Sequence, residues 1–133
     1  MSTFVYWISL AISSCLLCGA DEKKPEPKYE MTKYVMGLLR KGPKWSAAST
    51  EETQRIQEGH MANIRKMAAG GKLVVAGPFT DNGDVRGVFI FQQTSIDEAR
   101  AMVDEDPAVK AGRLVVELHP WFAAAGLRVN PPK

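Results

Sequence analysis

The sequence predicts an α+β domain in which a four-stranded antiparallel sheet carries two helices on one face. Apolar residues switch between strand and helix periodicity in the order strand, helix, strand, strand, helix, strand. An Asn82-Gly83 pair between the second and third strands favours a hairpin, and therefore antiparallel pairing. Two strand–helix–strand units around a hairpin fold most simply into the ferredoxin-like βαββαβ arrangement.

The first strand and the first helix are marked by a change of apolar period. Residues 32–40, "TKYVMGLLR", form an almost continuous apolar run that suits a buried strand. A Gly/Pro loop follows, and Ser49 or Thr50, ahead of two glutamates, provides the N-cap of a helix. This helix is predicted to run to about Ala69 and to end at Gly70-Gly71, which suits a C-terminal cap.

The second helix is marked by a capping box. Ser95 and Glu98 have the spacing at which each side chain bonds the other's backbone N–H, and apolar residues follow at helical spacing. The flanking strands are rich in β-branched and aromatic residues. The predicted elements here are strands at 72–79 and 88–93, a helix at 95–105, a turn at 106–112 and a strand at 113–121.

A sheet of this kind leaves one face uncovered by helices. We expect Val115, Glu117 and His119 on that face, because they alternate along the last strand. From the hairpin, either Phe89 and Phe91 or their neighbours join them. A partly apolar open face favours a partner, so a homodimer is expected.

Segments outside the domain differ from it in composition. Residues 1–20 are apolar and uncharged, shorter than a comfortable membrane span of about 20 apolar residues and broken by serines. They are typical of a secretory leader, and the charged, proline-bearing residues 21–30 are typical of a linker. The domain is predicted at 31–122, followed by an irregular tail at 123–133.

Two processing sites fit the leader. "CGA" suits cleavage after Ala20, whereas "ISSC" resembles a lipobox that would be lipidated at Cys15. Both predict an exported protein, periplasmic or anchored as a lipoprotein, and the lipid at Cys15 would be its only contact with a membrane. If translation instead starts at Met31, the domain would be cytoplasmic.

Composition and motifs exclude several classes of function. The chain has 133 residues and a formal net charge of +2, without the basic excess typical of nucleic-acid binding. Both cysteines, Cys15 and Cys18, lie in the leader, so the domain has no thiol nucleophile and no thiolate metal site. Phosphate-loop, dinucleotide-binding, His-Glu-x-x-His and Gly-x-Ser-x-Gly motifs are absent. The sequence therefore predicts no cofactor and no resident metal.

One histidine lies within the apolar stripe of the first helix. In "RIQEGHMANIRKM", His60 shares a side with Ile56 and Ile64, and Asn63 follows one turn later. His60 is therefore either a buried structural residue or the floor of a site. Asp106, in "DPAV", either initiates a turn or reaches back to His60. A carboxylate paired to an imidazole fixes its tautomer and makes a general base that works near neutral pH.

Other polar and aromatic residues allow further interpretations. A metal site is conceivable, although no local spacing supports it; its ligands would be His60, Asp106, Glu117 and His119. Three aromatic residues flank turns, where they form either the rim of the core or the mouth of a pocket: Trp45, Phe79 and Trp121.

Several motifs, in this order, resemble the YCII-related (YciI-like) domain family. They are "YVMGLLRKG", the helix with His60, "GKLVVAGPF", "SIDEARAMVDEDPAVKAG" and "ELHPW". The resemblance covers roughly residues 32–122, and the combination of Gly-Pro-Phe, Glu-Ala-Arg, Asp-Pro-x-Val-x-Ala-Gly and His-Pro-Trp is specific to it.

The resemblance implies a dimeric α+β barrel, in which two ferredoxin-like sheets pack face to face. It also implies a histidine–aspartate pair in a cleft, which maps to His60 and Asp106. One branch of the family is linked to dehydrochlorination of chlorinated aromatic compounds. The residues that the resemblance assigns to the cleft or to its closing stretch are Gly77, Pro78, Phe79, His119 and Trp121.

We therefore predict an exported domain in which His60, oriented by Asp106, performs acid–base chemistry on a small organic substrate. Its class would be lyase- or isomerase-like, and its partners a second copy of the chain and a small molecule. The alternative is a non-catalytic module that binds a small ligand while tethered at the membrane. A haem-binding or aromatic oxygenase role is a third hypothesis, because the superfamily includes such enzymes.

Overall fold

A computed structural model describes residues 28–128, in which four strands and two longer helices follow the predicted order and a third, short helix is added. The sheet is antiparallel throughout, with strand order β2-β3-β1-β4, so the predicted ferredoxin-like fold class is confirmed. The predicted leader, most of the predicted linker and residues 129–133 of the predicted tail lie outside the described residues. The elements are β1 (Met31–Lys41), α1 (Glu51–Ala69), β2 (Leu73–Pro78), β3 (Val85–Gln92), α2 (Ile96–Asp104), α3 (Pro107–Lys110) and β4 (Leu114–Ala124).

Helix α1 begins where the sequence predicts. Of the two candidate caps, Thr50 is the N-cap: its side chain accepts from the backbone N–H of Thr53, and Thr53 Oγ1 accepts from the N–H of Thr50. The predicted box at Ser95 and Glu98 likewise forms at the start of α2. Both helices therefore begin with their first free N–H groups satisfied by side chains.

The core lies between the sheet and the helices. Phe89 and Phe91 of β3 face the helices and meet edge to face, with ring centroids 5.9 Å apart. Their neighbours Val88 and Ile90 therefore point to the opposite face, since side chains alternate along a strand. The hairpin thus supplies aliphatic residues to the open face and keeps its phenylalanines in the core.

Two segments differ from the prediction. The turn expected at 106–112 contains the short helix α3, because Asp106 caps it and Pro107 occupies its first turn. Strand β4 runs on to Ala124, past Pro120, so the tail predicted to be irregular from residue 123 begins later. Proline is tolerated here because β4 lies at the edge of the sheet, where one side of its backbone has no neighbouring strand.

The segment after β4 folds against the open face. Tyr34 of β1 lies beside Trp121 of β4, with ring centroids 5.7 Å apart. The Tyr34 hydroxyl donates to the carbonyl of Ala124 at 3.3 Å and accepts from the N–H of Leu127 at 3.4 Å. One end of the open face is therefore covered by the chain itself.

The pairing of β1 with β3 contains a β-bulge near the end of β1 and the start of β3. Leu39 lies opposite Gly87, whereas the next residue, Arg40, lies opposite Val85. Arg86 is therefore the extra residue of β3 and has no partner in β1. A bulge of this kind bends the strand and redirects the extra side chain.

Candidate active site

The structure brings His60 and Asp106 into contact. Nδ1 of His60 lies 2.7 Å from Oδ2 of Asp106, although the two are 46 positions apart in the chain. His60 projects from the middle of α1, and Asp106 occupies the junction of α2 and α3. An ionised carboxylate only accepts hydrogen bonds, so Nδ1 carries the proton and donates it.

Asp106 is only 1% exposed, and both oxygens of its carboxylate accept hydrogen bonds from the protein. Oδ1 accepts from the backbone N–H of Ala108 at 2.8 Å, the bond that caps α3. Oδ2 also faces the side-chain amide of Asn63, which donates at 3.4 Å. A buried carboxylate remains ionised only when its oxygens are bonded in this way.

Opposing effects act on the pKa of Asp106. Burial is the largest single influence and raises it, since it disfavours the charged form. The hydrogen bond with His60, the electrostatic attraction between the pair and the donors from Ala108 and Asn63 lower it. Together they prevail and hold the pKa of Asp106 below its usual value, so a carboxylate faces the imidazole at neutral pH.

The imidazole of His60 is held on a second side by an aromatic ring. It stacks on Phe89 of β3, with ring centroids 6.2 Å apart and an interplanar angle of 23°. The side chain is 10% exposed, and it lines a cleft between α1 and the sheet. Because Nδ1 is engaged by Asp106, Nε2 is the nitrogen available to a ligand in that cleft.

The cleft has a volume of about 320 Å³ and mostly apolar walls. Arg86 is the one residue with a permanently charged side chain among the described residues that line it. No aspartate or glutamate of residues 28–128 lines it. The lining residues are Leu39, Trp45, Gln57, His60, Met61, Ile64, Ala76, Gly77, Pro78, Arg86, Gly87, Phe89 and Leu114.

Three residues assigned to the cleft from the sequence lie elsewhere. Phe79, just past β2, is 43% exposed and does not line the cleft. His119 and Trp121 belong to the face of β4 opposite to the core, because they alternate with the buried Leu114 and Val116. In the cleft formed by a single chain, Gly77 and Pro78 are lining residues, and the assignment of the other three residues stays a prediction.

The four residues considered as metal ligands fall into two separate groups. His60 belongs to α1 and Asp106 caps α3, whereas His119 and Glu117 lie on the open face of the sheet, with His119 Nε2 and Glu117 Oε2 3.8 Å apart. Within residues 28–128, no group of three or more His, Cys, Asp or Glu residues is placed to hold a metal ion.

The helices of this part of the chain are all too short or too polar to cross a membrane.

Two residues of the site were missed as site residues. Asn63 follows His60 by one helical turn on the same side, and this spacing was the available signal for its contact with Asp106. Arg86 had no such signal, because a bulge shifts the alternation by one residue and leaves no mark in composition.

The fold and this cleft define a small ferredoxin-like α+β domain with a buried histidine–aspartate pair. Residues 33–122 match the YCII-related domain family, so the chain belongs to it and the resemblance predicted from the motifs is confirmed.

Among solved structures, the protein is similar to 5-chloro-2-hydroxyhydroquinone dehydrochlorinase (TftG) from Burkholderia phenoliruptrix, solved in complex with 2,5-dihydroxybenzoquinone. The two are 26% identical, the alignment covers 68% of this chain and 93% of that chain, and the TM-score is 0.48. No curated protein matches the sequence.

Proposed function

We propose that this domain is an acid–base enzyme in which Nε2 of His60 removes a proton from a small organic substrate. The observation that carries the proposal is the contact of 2.7 Å between His60 Nδ1 and Asp106 Oδ2 at the wall of a cleft. A purely structural histidine needs no ionised partner, whereas a general base needs its tautomer and orientation fixed.

The chemistry follows from which nitrogen is free. With Nδ1–H donated to Asp106, Nε2 carries a lone pair and accepts the substrate proton. The imidazolium that forms lies against an anionic carboxylate, which stabilises its positive charge. Returning the proton from Nε2 to another atom of the substrate completes an isomerisation. If the electron pair instead expels a leaving group, the reaction is an elimination.

The proposal can be tested before the substrate is known. Small cyclic, phenolic and enolisable compounds would be incubated with the protein in deuterated water, and exchange at carbon would be followed by NMR. Replacing His60 by Gln should slow catalysed exchange by about 10²-fold or more, the scale of general-base catalysis. Arg65→Gln is the control, because that side chain is exposed on the same helix and does not line the cleft.

Two results would contradict the proposal. One is that no compound exchanges faster with the wild-type protein than in buffer. The other is that the His60→Gln variant, folded as judged by circular dichroism, exchanges as fast as wild type. Retained ligand affinity with no exchange in either protein would instead favour the non-catalytic binding module.

Assembly and location complete the proposed function. We infer a homodimer formed through the open face, where Val115 is 45% exposed and Met36, Leu38 and Val88 are partly exposed. Val115→Glu should shift the protein from dimer to monomer in light scattering, and a wild-type monomer would contradict the inference.

We also propose export, which mass spectrometry of the mature N-terminus tests: cleavage after Ala20 or lipidation at Cys15 supports it.

A further inference from the structure

We propose that the His60 cleft selects small, flat carboxylates and that Arg86 binds their carboxylate group. This inference deepens the proposed function, on which it rests, by naming a substrate class and the residue that recognises it. The charged end of such a ligand would lie on the guanidinium, and its apolar body would lie along the walls toward His60.

The bulge in β3 explains how a cation reaches this cleft. Gly87 and Phe89 face the core side of the strand, so regular alternation would turn residue 86 to the open face. As the extra residue of the bulge, Arg86 instead lines the cleft together with His60. Bulges are frequent beside active sites because they redirect one side chain in this way.

The guanidinium of Arg86 is positioned but incompletely bonded. The guanidinium lies over the Trp45 ring, with Cζ 5.2 Å from the ring centroid, and Nη1 donates to the carbonyl of Gly83 at 3.3 Å. Nε is buried and has no hydrogen-bond acceptor among the described residues. Nor does any carboxylate within residues 28–128 form an ion pair with Arg86.

Arg40, on the same sheet, differs from Arg86 because carboxylates lie next to its guanidinium. Nε of Arg40 also has no well-aligned hydrogen bond, but it lies 2.7 Å from Oε1 of Glu117, and Nη1 of Arg40 lies 3.0 Å from Oδ2 of Asp84. The charge of Arg40 is therefore compensated by the protein. Arg86 lacks this compensation, and a bound carboxylate would supply both an acceptor for Nε–H and an opposite charge.

Neighbouring positive charges make the end of the cleft beside Trp45 and Arg86 favourable for an anion. Arg113 and Lys41 also lie over the Trp45 ring, with Arg113 Cζ at 5.2 Å and Lys41 Nζ at 5.8 Å from its centroid. With no acidic lining residue in the described part of the cleft, these cations produce a positive potential that attracts anions. Asp106 is separated from the cleft by the imidazole to which it is bonded.

The dimensions limit the ligand to a small body. A volume of about 320 Å³ is at the lower end for ligand sites, which span roughly 300–1,000 Å³. Trp45, Phe89 and Pro78 provide flat or rigid walls. A molecule of one ring with one carboxylate satisfies the charge, the apolar walls and the volume together.

Benzoate and its uncharged analogue benzamide provide the test, by isothermal titration calorimetry on the full chain. We expect wild type to bind benzoate about tenfold or more tightly than benzamide, the scale of a charge-assisted hydrogen bond. Arg86→Gln should weaken benzoate binding by a similar factor and leave benzamide binding nearly unchanged, while Arg86→Lys retains part of the benzoate preference. Arg113→Gln removes a cation from the same ring outside the cleft; it is the matched control and should lose clearly less benzoate affinity than Arg86→Gln.

Several outcomes would overturn the inference. Equal binding of the two ligands by wild type, or no benzoate binding, removes carboxylate selection. Equal losses in Arg86→Gln and Arg113→Gln would show a diffuse potential instead of a binding residue. Benzamide binding reports whether each variant still has a formed cleft. The result is independent of proton transfer, because His60→Gln should still prefer benzoate even if exchange chemistry is absent.

Discussion

Gly59 and Pro107 are in such close contact that a side chain at position 59 would force one of the two helices to shift. A Cβ atom at Gly59 would lie 2.7 Å from Cγ of Pro107, closer than real Cβ contacts allow. Each residue is the chain neighbour of one member of the pair, since Gly59 precedes His60 and Pro107 follows Asp106. We therefore expect the contact between α1 and α3 to set the distance at which the imidazole and the carboxylate meet.

Replacing Gly59 by Ala should push α3 away from α1 and impair exchange chemistry more than stability. Overpacking costs about 1–3 kcal/mol, while Ala in place of Gly inside a helix returns roughly 1 kcal/mol. Urea unfolding should therefore show a small net loss, and catalysed exchange should fall by about tenfold or more. Gly70→Ala, at a helix end where the added Cβ makes ordinary contacts, is the control. Wild-type exchange in Gly59→Ala would show that the close contact does not set the pair's geometry.

Replacing Asp106 by Asn should change how stability depends on pH. The pKa of Asp106 is lower in the folded protein than in the unfolded chain, where it is about 3.9. Ionisation of Asp106 therefore makes its full contribution to stability when the pH is above that unfolded-state pKa. That stability is lost as pH falls through the folded pKa. We expect Asp106→Asn to be less stable by about 2 kcal/mol at pH 7. The difference should shrink below about pH 4 in urea titrations. A difference that is the same at pH 7 and pH 3 would contradict the assigned ionisation.

Replacing Asn63 by Ala should act on the same carboxylate more gently. Its amide donates to Asp106 Oδ2 at 3.4 Å and to the carbonyl of Met102 at 3.3 Å. Without this donor the pKa of Asp106 should rise, so the acid limb of the stability profile should move to higher pH. Exchange at neutral pH should fall by about tenfold, as for a residue that positions another. Arg65→Ala, exposed on the same helix, should change neither property.

Replacing Ser95 by Ala should separate folding from function. Its hydroxyl caps α2 by accepting from the N–H of Glu98 at 3.1 Å, and it takes no part in the cleft. We expect a loss of about 1 kcal/mol in the free energy of unfolding and exchange rates within twofold of wild type. A large fall in exchange without a fall in stability would mean that the start of α2 influences the pair directly.

The fold could be predicted from the sequence because each element carries its own local signal. Thr50 and the Ser95–Glu98 box mark the starts of α1 and α2. For β3, side-chain alternation left open only which of the two alternating sets of residues faces the core. The same alternation in β4 places His119 on the open face, as expected from the sequence. The resemblance, in contrast, assigns residues by their position in the chain and not by the face of a strand.

The site was less predictable because its contacts are not local. His60 and Asp106 are 46 positions apart in the chain, and the carboxylate reaches the imidazole from the N-cap of the short helix α3. Arg86 depends on a slip of one residue in strand pairing, which no propensity or period records. Geometry of this kind is fixed by the packing of whole elements, so sequence patterns leave it open.

The bulge at Arg86 also affects how this cleft can evolve. Because the side chain reaches the cleft through one additional residue in β3, removing that residue would restore regular pairing with β1 and leave the cleft without its arginine. A one-codon deletion would therefore convert a charged cleft into a neutral one while the core residues on either side keep their partners. Ligand preference among relatives would then follow the length of this strand as much as the identity of its residues.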